Sequence, residues 1–250
     1  AMNLWEFIIS HLDEIADQTI QHLQLTLVSM LFASLIGVAI GILITRIEKI
    51  ASITLGFVGV IQTIPSLALL GFLLPIVGIG TIPAIIALFL YALLPIVRNT
   101  YTGIKEIDPA IKEATLGMGM TQSQILRIVE LPLAFPVILA GIRTSAVINV
   151  GIATLCALIA AGGLGEFIFR GISLNNTYMI LAGAIPASIL AVLLDGLLGL
   201  IQKYYRSMRM WISLASVTII AFIGASLMES DPPSRLVAGF NSEFIERDDG

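Results

Sequence analysis

Apolar windows of about 20 residues leave a chain few folds, because a helix of that length crosses the hydrocarbon of a bilayer. Such windows recur here at residues 23–45, 51–77, 80–97, 131–161, 177–201 and 211–228. The first, LQLTLVSMLFASLIGVAIGILIT, carries no charge and is followed by Arg46, Glu48 and Lys49. Backbone groups find no water at that depth, so windows of this length must be helical. The expected fold class is an all-α polytopic membrane protein of about six transmembrane helices. Composition closes the alternatives. Of 250 residues, 57% are hydrophobic and 12% charged, where soluble domains carry about 25% charged residues. That leaves too little polar side chain to coat a water-facing surface, a disordered chain or a nucleic-acid-binding face. Cys156 is the single cysteine and lies in an apolar run, so it reads as a small buried hydrophobe without a disulfide.

Prolines interrupt the second and third windows at Pro65, Pro75, Pro83 and Pro95. Breaks of this kind persist where neighbouring helices or water re-satisfy the freed backbone groups, which suits a bundle lining a pathway. Proline is also common in membrane helices generally. The fourth window opens with Pro132 and Pro136 and closes in AAGGLG, so its ends belong in the interfaces. Residues 1–22 are acidic, lack a signal-peptide cleavage site, and read as an amphipathic lead-in helix.

Lysine and arginine favour cytoplasmic loops. With the amino terminus outside, Arg46, Lys49, Arg98, Lys105, Lys112, Arg127, Lys203, Arg206 and Arg209 fall inside, against Arg170, Arg235 and Arg247 outside. The acidic residues Glu6, Asp13, Glu14, Asp17, Glu166 and those of the 229–249 group fall outside. Both termini are therefore expected to be external.

That topology leaves one long cytoplasmic loop, 98–130, RNTYTGIKEIDPAIKEATLGMGMTQSQILRIVE. Asp108 before Pro109 is an N-cap with proline at the first helical position, so a short helix follows. Gly117 and Gly119 end it, since glycine adopts the left-handed conformation at low cost. Thr121 and Gln124 have capping-box spacing and start a second helix through ILRIVE up to Leu131-Pro132. A helix, a glycine elbow and a helix tied to the next span suit a part that transmits force to a partner; an ordinary interfacial loop is the plainer reading.

The same residues resemble a family. Glu113-Ala114-Thr115, three residues, Gly119, nine residues, then Val129-Glu130-Leu131-Pro132 are similar to the EAA loop of bacterial ABC importer permeases: Glu-Ala-Ala, three residues, Gly, nine residues, Ile-x-Leu-Pro. Thr115 and Val129 are mild departures. The stretches IQTIPSLALLGFLLP, YALLPIVRNTYTGI, LPLAFPVILAGIRTSAVINVGIATLCALIAAGGLG and IFRGI resemble the osmoprotectant branch, permeases for glycine betaine, carnitine and choline, over residues 20 to about 205. The resemblance implies a five-helix type I importer core over 23–205, with ATPase coupling at or near Glu113, Ala114, Thr115, Gly117 and Gly119. Leu131 and Pro132 would fix the loop to its span. It also implies cytosolic ABC ATPase subunits carrying ATP and Mg, a second permease subunit in a homodimer, and an external substrate-binding domain, fused or separate. The extra span at 211–228 and the external tail 229–250 fit a fused arrangement, the tail reading as an abridged fragment of such a domain.

Arg143 and Asp195 lie within spans. An ionised group there costs about 2.5–3.5 kcal/mol on insertion scales and faces the bundle interior with a partner. The two are expected to approach each other or other polar groups, as a structural pair or a contact along the solute route. Gln62, Asn99 and Asn149 are weaker candidates for lining that route. No clustered aromatic cage for a quaternary ammonium is visible; Trp5 and Trp211 read as interfacial anchors. No Walker phosphate loop occurs, so the chain reads as a non-enzyme with no cofactor of its own. His11 and His22 lack companion ligands at metal spacing and read as a solvated helix face. The functional expectation is the multi-pass subunit, in a bacterial cell membrane, of an ATP-driven importer of quaternary-ammonium osmolytes working by alternating access. Other trimethylammonium zwitterions such as ergothioneine, or bile-related compounds, fit equally. A proton- or sodium-coupled secondary transporter would need an inverted repeat and several embedded titratable groups; a structural or regulatory membrane protein would not need the elbow.

Overall fold

The computed structural model describes residues 3–204, and among them every regular element is a helix. The short α1 (Leu4–Ser10) starts on a capping box between Asn3 and Glu6. It ends at His11, whose ring stacks on Phe7 with centroids 4.2 Å apart. From there α2 (Leu12–Arg46) runs without a break. The expected lead-in over 1–22 is divided at His11 into α1 and the first turns of α2, and the change from polar to apolar composition near residue 22 does not interrupt the hydrogen bonding of α2. At 1.5 Å per residue its 35 residues span about 52 Å, well beyond the hydrocarbon thickness.

The second window is not a single straight span. α3 (Glu48–Thr63) and α4 (Ser66–Val77) meet at a bend of 95°. Pro65 forces its predecessor Ile64 into extended backbone, φ −67° and ψ 128°. The break frees carbonyls in an apolar setting, and the Tyr91 hydroxyl from α5 (Thr81–Lys105) donates to Ile64 O. That contact meets the need for internal satisfaction at membrane depth. α5 (Thr81–Lys105) absorbs Pro83 and Pro95 and continues past the end of the third window. Residues 98–105, expected as loop, are thus its last two turns, with Thr100, Gly103 and Ile104 buried.

After α5 come α6 (Pro109–Gly117), the short turn α7 (Gln122–Gln124), a π-helical turn (Ile125–Glu130), and α8 (Leu131–Leu155). A 3₁₀ turn (Cys156–Ile159) and left-handed residues at Ala160, Gly162 and Gly163 lead to α9 (Gly165–Ser173), then α10 (Thr177–Tyr204). Among the described residues four helices are long and apolar enough to cross a membrane, or five if α3–α4 counts as one broken span. The sixth window at 211–228, Trp211 and the tail lie outside the described residues.

The core is α2, α5 and α8 packed through small residues, the usual way membrane helices approach closely. A β-carbon on Gly41 of α2 would sit 2.5 Å from Thr100 Cβ, and one on Gly141 of α8 would sit 2.6 Å from Pro95 O. Leu70, Leu88 and Tyr91 fill one buried cluster with Cys156; Ile44, Val97 and Val58 fill another. α10 buries only Met179, Ala182, Gly183 and Ala187.

Candidate coupling site and intramembrane polar groups

The elbow forms as its local chemistry dictates. The Asp108 carboxylate accepts from Ala110 N at 2.8 Å, with Pro109 at the first helical position, and α6 follows. Thr121 and Gln124 exchange both capping-box bonds, and α7 follows. Between them Gly119 takes φ +79°, the left-handed conformation that reverses the chain. Gly117 does not share that role: it is the last residue of α6, and φ is positive only at Gly119. Glu113, Ala114, Gly117 and Gly119 face outward, together with the apolar Leu116 and Met118. Thr115 turns inward, its Oγ1 donating to Lys112 O at 2.8 Å.

Leu131-Pro132 does not end the second helix. The turn over Ile125–Glu130 is π-helical, with Leu131 N bonded to Leu126 O, and the helix passes through Pro132 into α8. Proline lacks an N–H and clashes with the carbonyl four residues back; the wider turn just before it relieves the clash, and Pro132 sits in the first turn of α8. The second helix of the elbow and the span are one continuous helical rod, Gln122–Ile159.

At the root of that rod lies a group that sequence reasoning missed. Glu130 is 1% exposed. Its carboxylate accepts from Arg46 Nη2 at 2.5 Å, at the end of α2, and pairs with Lys112 Nζ of α6 at 3.3 Å. Lys112 also donates to Ile104 O of α5 at 3.0 Å. One buried carboxylate thus joins α2, α6 and α8, with α5 tied in through Lys112. The available signal was a lone carboxylate between Val129 and Leu131 at a span's edge, which demands a partner. Nearby, Lys105 closes the end of α5 onto Glu48 at the start of α3.

Within the membrane windows, Arg143 and Asp195 come together in a two-bond pair, while Gln202 accepts from Arg143 Nη1 at 2.7 Å and donates to Pro136 O at 2.8 Å. Arg143 and Asp195 line an open groove of about 390 Å³ between α8 and α10 with Ala140, Thr144, Val147 and Ile148. Asn149 is elsewhere: it is fully buried against α2, its Nδ2 donating to Ser29 Oγ at 3.3 Å. Asn99 donates to Pro95 O within its own helix, and Gln62 is half-buried in the last turn of α3. No hydrogen bond among the described residues joins these three to the Arg143 pair.

His22 corrects the sequence expectation of a solvated face. It is fully buried, and its Nε2 donates to Val150 O at 3.1 Å. Gln18, one turn earlier, is also buried and donates to Glu166 Oε2 at 2.9 Å, while Gln21 accepts from Gly163 N. The polar face of α2 is covered by α8 and the chain leading into α9.

Residues 33–210 match the family described as binding-protein-dependent transport system inner membrane component. The chain belongs to that family. The permease is 43% identical over 198 residues to the choline transport system permease protein OpuBB of Bacillus subtilis, covering 79% of this chain and 91% of that one. It is 49% identical over 185 residues to the carnitine transport permease protein OpuCB of Listeria monocytogenes, covering 74% and 85%. With the osmoprotectant import permease protein OsmW of Salmonella typhimurium it shares 43% identity over 206 residues, covering 80% and 96%. Among solved structures, the inward-facing MetNI methionine ABC transporter matches with a TM-score of 0.68 and 28% identity, over 76% of this permease and 94% of that chain. An amino acid ABC transporter with histidines shares the fold at a TM-score of 0.68 and 19% identity, covering 81% and 99%. The permease is a membrane-spanning transport subunit rather than an enzyme.

Proposed function

We propose that this permease moves quaternary-ammonium osmolytes of the glycine betaine, carnitine and choline class into the cell, as the membrane subunit of an ATP-driven ABC importer. The observation that carries the reading is its 43–49% identity, over most of their length, to permeases named for choline, carnitine and osmoprotectants. The elbow supports the coupling half of it. Residues 109–130 form a capped, rigid projection continuous with a span, and its outward face offers Glu113, Ala114 and Gly119 beside the apolar Leu116 and Met118. Exposed apolar side chains on a capped turn suit a groove in another protein. That partner is a cytosolic ATPase subunit, which holds ATP and Mg.

The elbow faces the cytosol and both termini face outward, in a bacterial inner or cytoplasmic membrane, in keeping with the lysine and arginine asymmetry. Two permease copies enclose the solute route, and ATPase closure, passed through the elbow, opens it alternately to either side. An external substrate-binding domain, fused beyond the 211–228 window or separate, delivers the solute. An aromatic cage able to hold a trimethylammonium group belongs to that domain.

Proteoliposomes carrying the permease and its ATPase subunit test this with labelled glycine betaine, carnitine and choline. Uptake that requires ATP is expected for at least one of the three. Uptake without ATP, driven by a sodium or proton gradient, overturns the reading.

A further inference from the structure

We infer that Glu130 is a positioning residue that carries movement of the elbow into the membrane spans, with Lys112 and Arg46 as its two contacts; this rests on the elbow being the ATPase dock. The carboxylate is the point where three elements meet. Its side chain is 2% exposed, against 37% for Arg46 and 29% for Lys112. Bulk water therefore solvates the two cations in part, and the anion hardly at all. A buried anion depends on its partners for compensation. Lys112 cannot move away with α6 unless Glu130 follows or is left under-compensated.

The position of Glu130 along the chain gives that dependence a direction. It closes the π-helical turn and directly precedes α8. A pull on the carboxylate acts at the place where hydrogen bonding changes from the wider to the tighter pattern. Downstream of that place the rod is the span that carries Arg143. The bond from Arg46 applies the same constraint to the end of α2, and Lys112 reaches Ile104 O of α5. An elbow displaced by a partner thus acts on α2 and α8 through one buried charge, and on α5 through Lys112. Among the described residues the Glu113 carboxylate makes no hydrogen bond or ion pair to these spans, and Glu113 and Ala114 are both exposed; their place is the partner's side of the elbow.

The test uses the full permease reconstituted with its ATPase subunit. Two readouts are taken: cross-linking of Met118→Cys to the ATPase, and the ATP-dependent change in labelling of Thr144→Cys by a membrane-impermeant thiol reagent, both in a Cys156→Ser background. Neither needs a transported solute. Lys112→Met removes the elbow's contact but leaves Arg46 on Glu130; it is expected to keep the cross-link and to weaken the ATP-dependent change roughly two- to thirty-fold, the span of coupling residues. Lys112→Arg, which can still reach the carboxylate, is expected to restore it. If Lys112→Met does not assemble, Lys112→Gln keeps a donor for Ile104 O without the charge, and the same loss is expected. An unchanged ATP response in the uncharged variants overturns the inference, as does failure of Lys112→Arg to restore it. Loss of the cross-link only in the uncharged variants also overturns it, assigning Lys112 to docking. Absence of the cross-link with Lys112 intact removes the docking reading itself, and this inference with it.

Discussion

Arg143 of α8 and Asp195 of α10 face each other through two parallel hydrogen bonds, Nε to Oδ1 at 3.0 Å and Nη2 to Oδ2 at 2.8 Å. The geometry is the forked pairing that only a guanidinium offers a carboxylate. Gly199 lets the guanidinium lie close to α10: a β-carbon there would sit 3.2 Å from Arg143 Cζ. Neither partner faces lipid comfortably alone. Arg143→Asp and Asp195→Arg are each expected to abolish ATP-dependent uptake, and the double reversal to recover part of it. Arg143→Lys, without the fork, should recover less than wild type. Uptake assays on the four proteins at matched membrane levels check this; full activity in either single reversal contradicts it.

Arg46 is the closer of the two cations on Glu130. Arg46→Met leaves a buried carboxylate with Lys112 alone, and removing one partner of a buried pair costs about 3–5 kcal/mol. Because Arg46 is itself 37% exposed, a loss of about 2–3 kcal/mol is expected after allowing for solvent screening. Arg46→Met with Glu130→Leu should recover part of that loss, since no charge is then left buried. Thermal unfolding in detergent measures both.

Helix spacing predicts opposite outcomes at two glycines. Gly41→Ala drives a methyl to 2.5 Å from Thr100 Cβ, so α2 and α5 must separate, an overpacking loss of about 1–3 kcal/mol. Gly56→Ala in α3 meets nothing within 4 Å and should stabilise the isolated chain by up to about 1 kcal/mol through helix propensity. Melting temperatures of the two variants should move in opposite directions.

The elbow allows a similar contrast. Gly119→Ala places a β-carbon at φ +79°, a conformation costing L-residues about 1–2 kcal/mol. Gly119→Asn should cost less, because asparagine tolerates that region. Gly117→Ala, at the end of α6, should be silent or mildly stabilising. Uptake per ATP hydrolysed is the discriminating measurement at Gly119, reduced by Gly119→Ala and reduced less by Gly119→Asn; the melting temperature checks Gly117→Ala.

Much of this fold was legible residue by residue. Hydropathy located the apolar cores of α2, α5, α8 and α10, and the caps at Asp108 and Thr121 formed where their spacing placed them. These features depend on interactions within one helical turn or on transfer to lipid, and both are properties of short stretches of chain. Local rules failed where a neighbour changed the outcome. Pro132 looked like a helix end, but the π-helical turn before it opened room for the ring. His22 looked solvated, but α8 and the residues leading into α9 closed over that face of α2.

Which charges meet was decided only by the tertiary structure. Arg46 and Glu130 are 84 positions apart, and Arg143 and Asp195 are 52 apart. Sequence alone marked Arg143 and Asp195 as charges needing partners, since the cost of an ion in hydrocarbon is intrinsic to the residue. It could not choose the partner of Glu130, because that choice depends on where α2 ends, how α6 folds back and how closely small residues let the helices approach. Apolarity and local capping are written in the chain; the pairing of buried charge is a matter of distance, and distance exists only after packing.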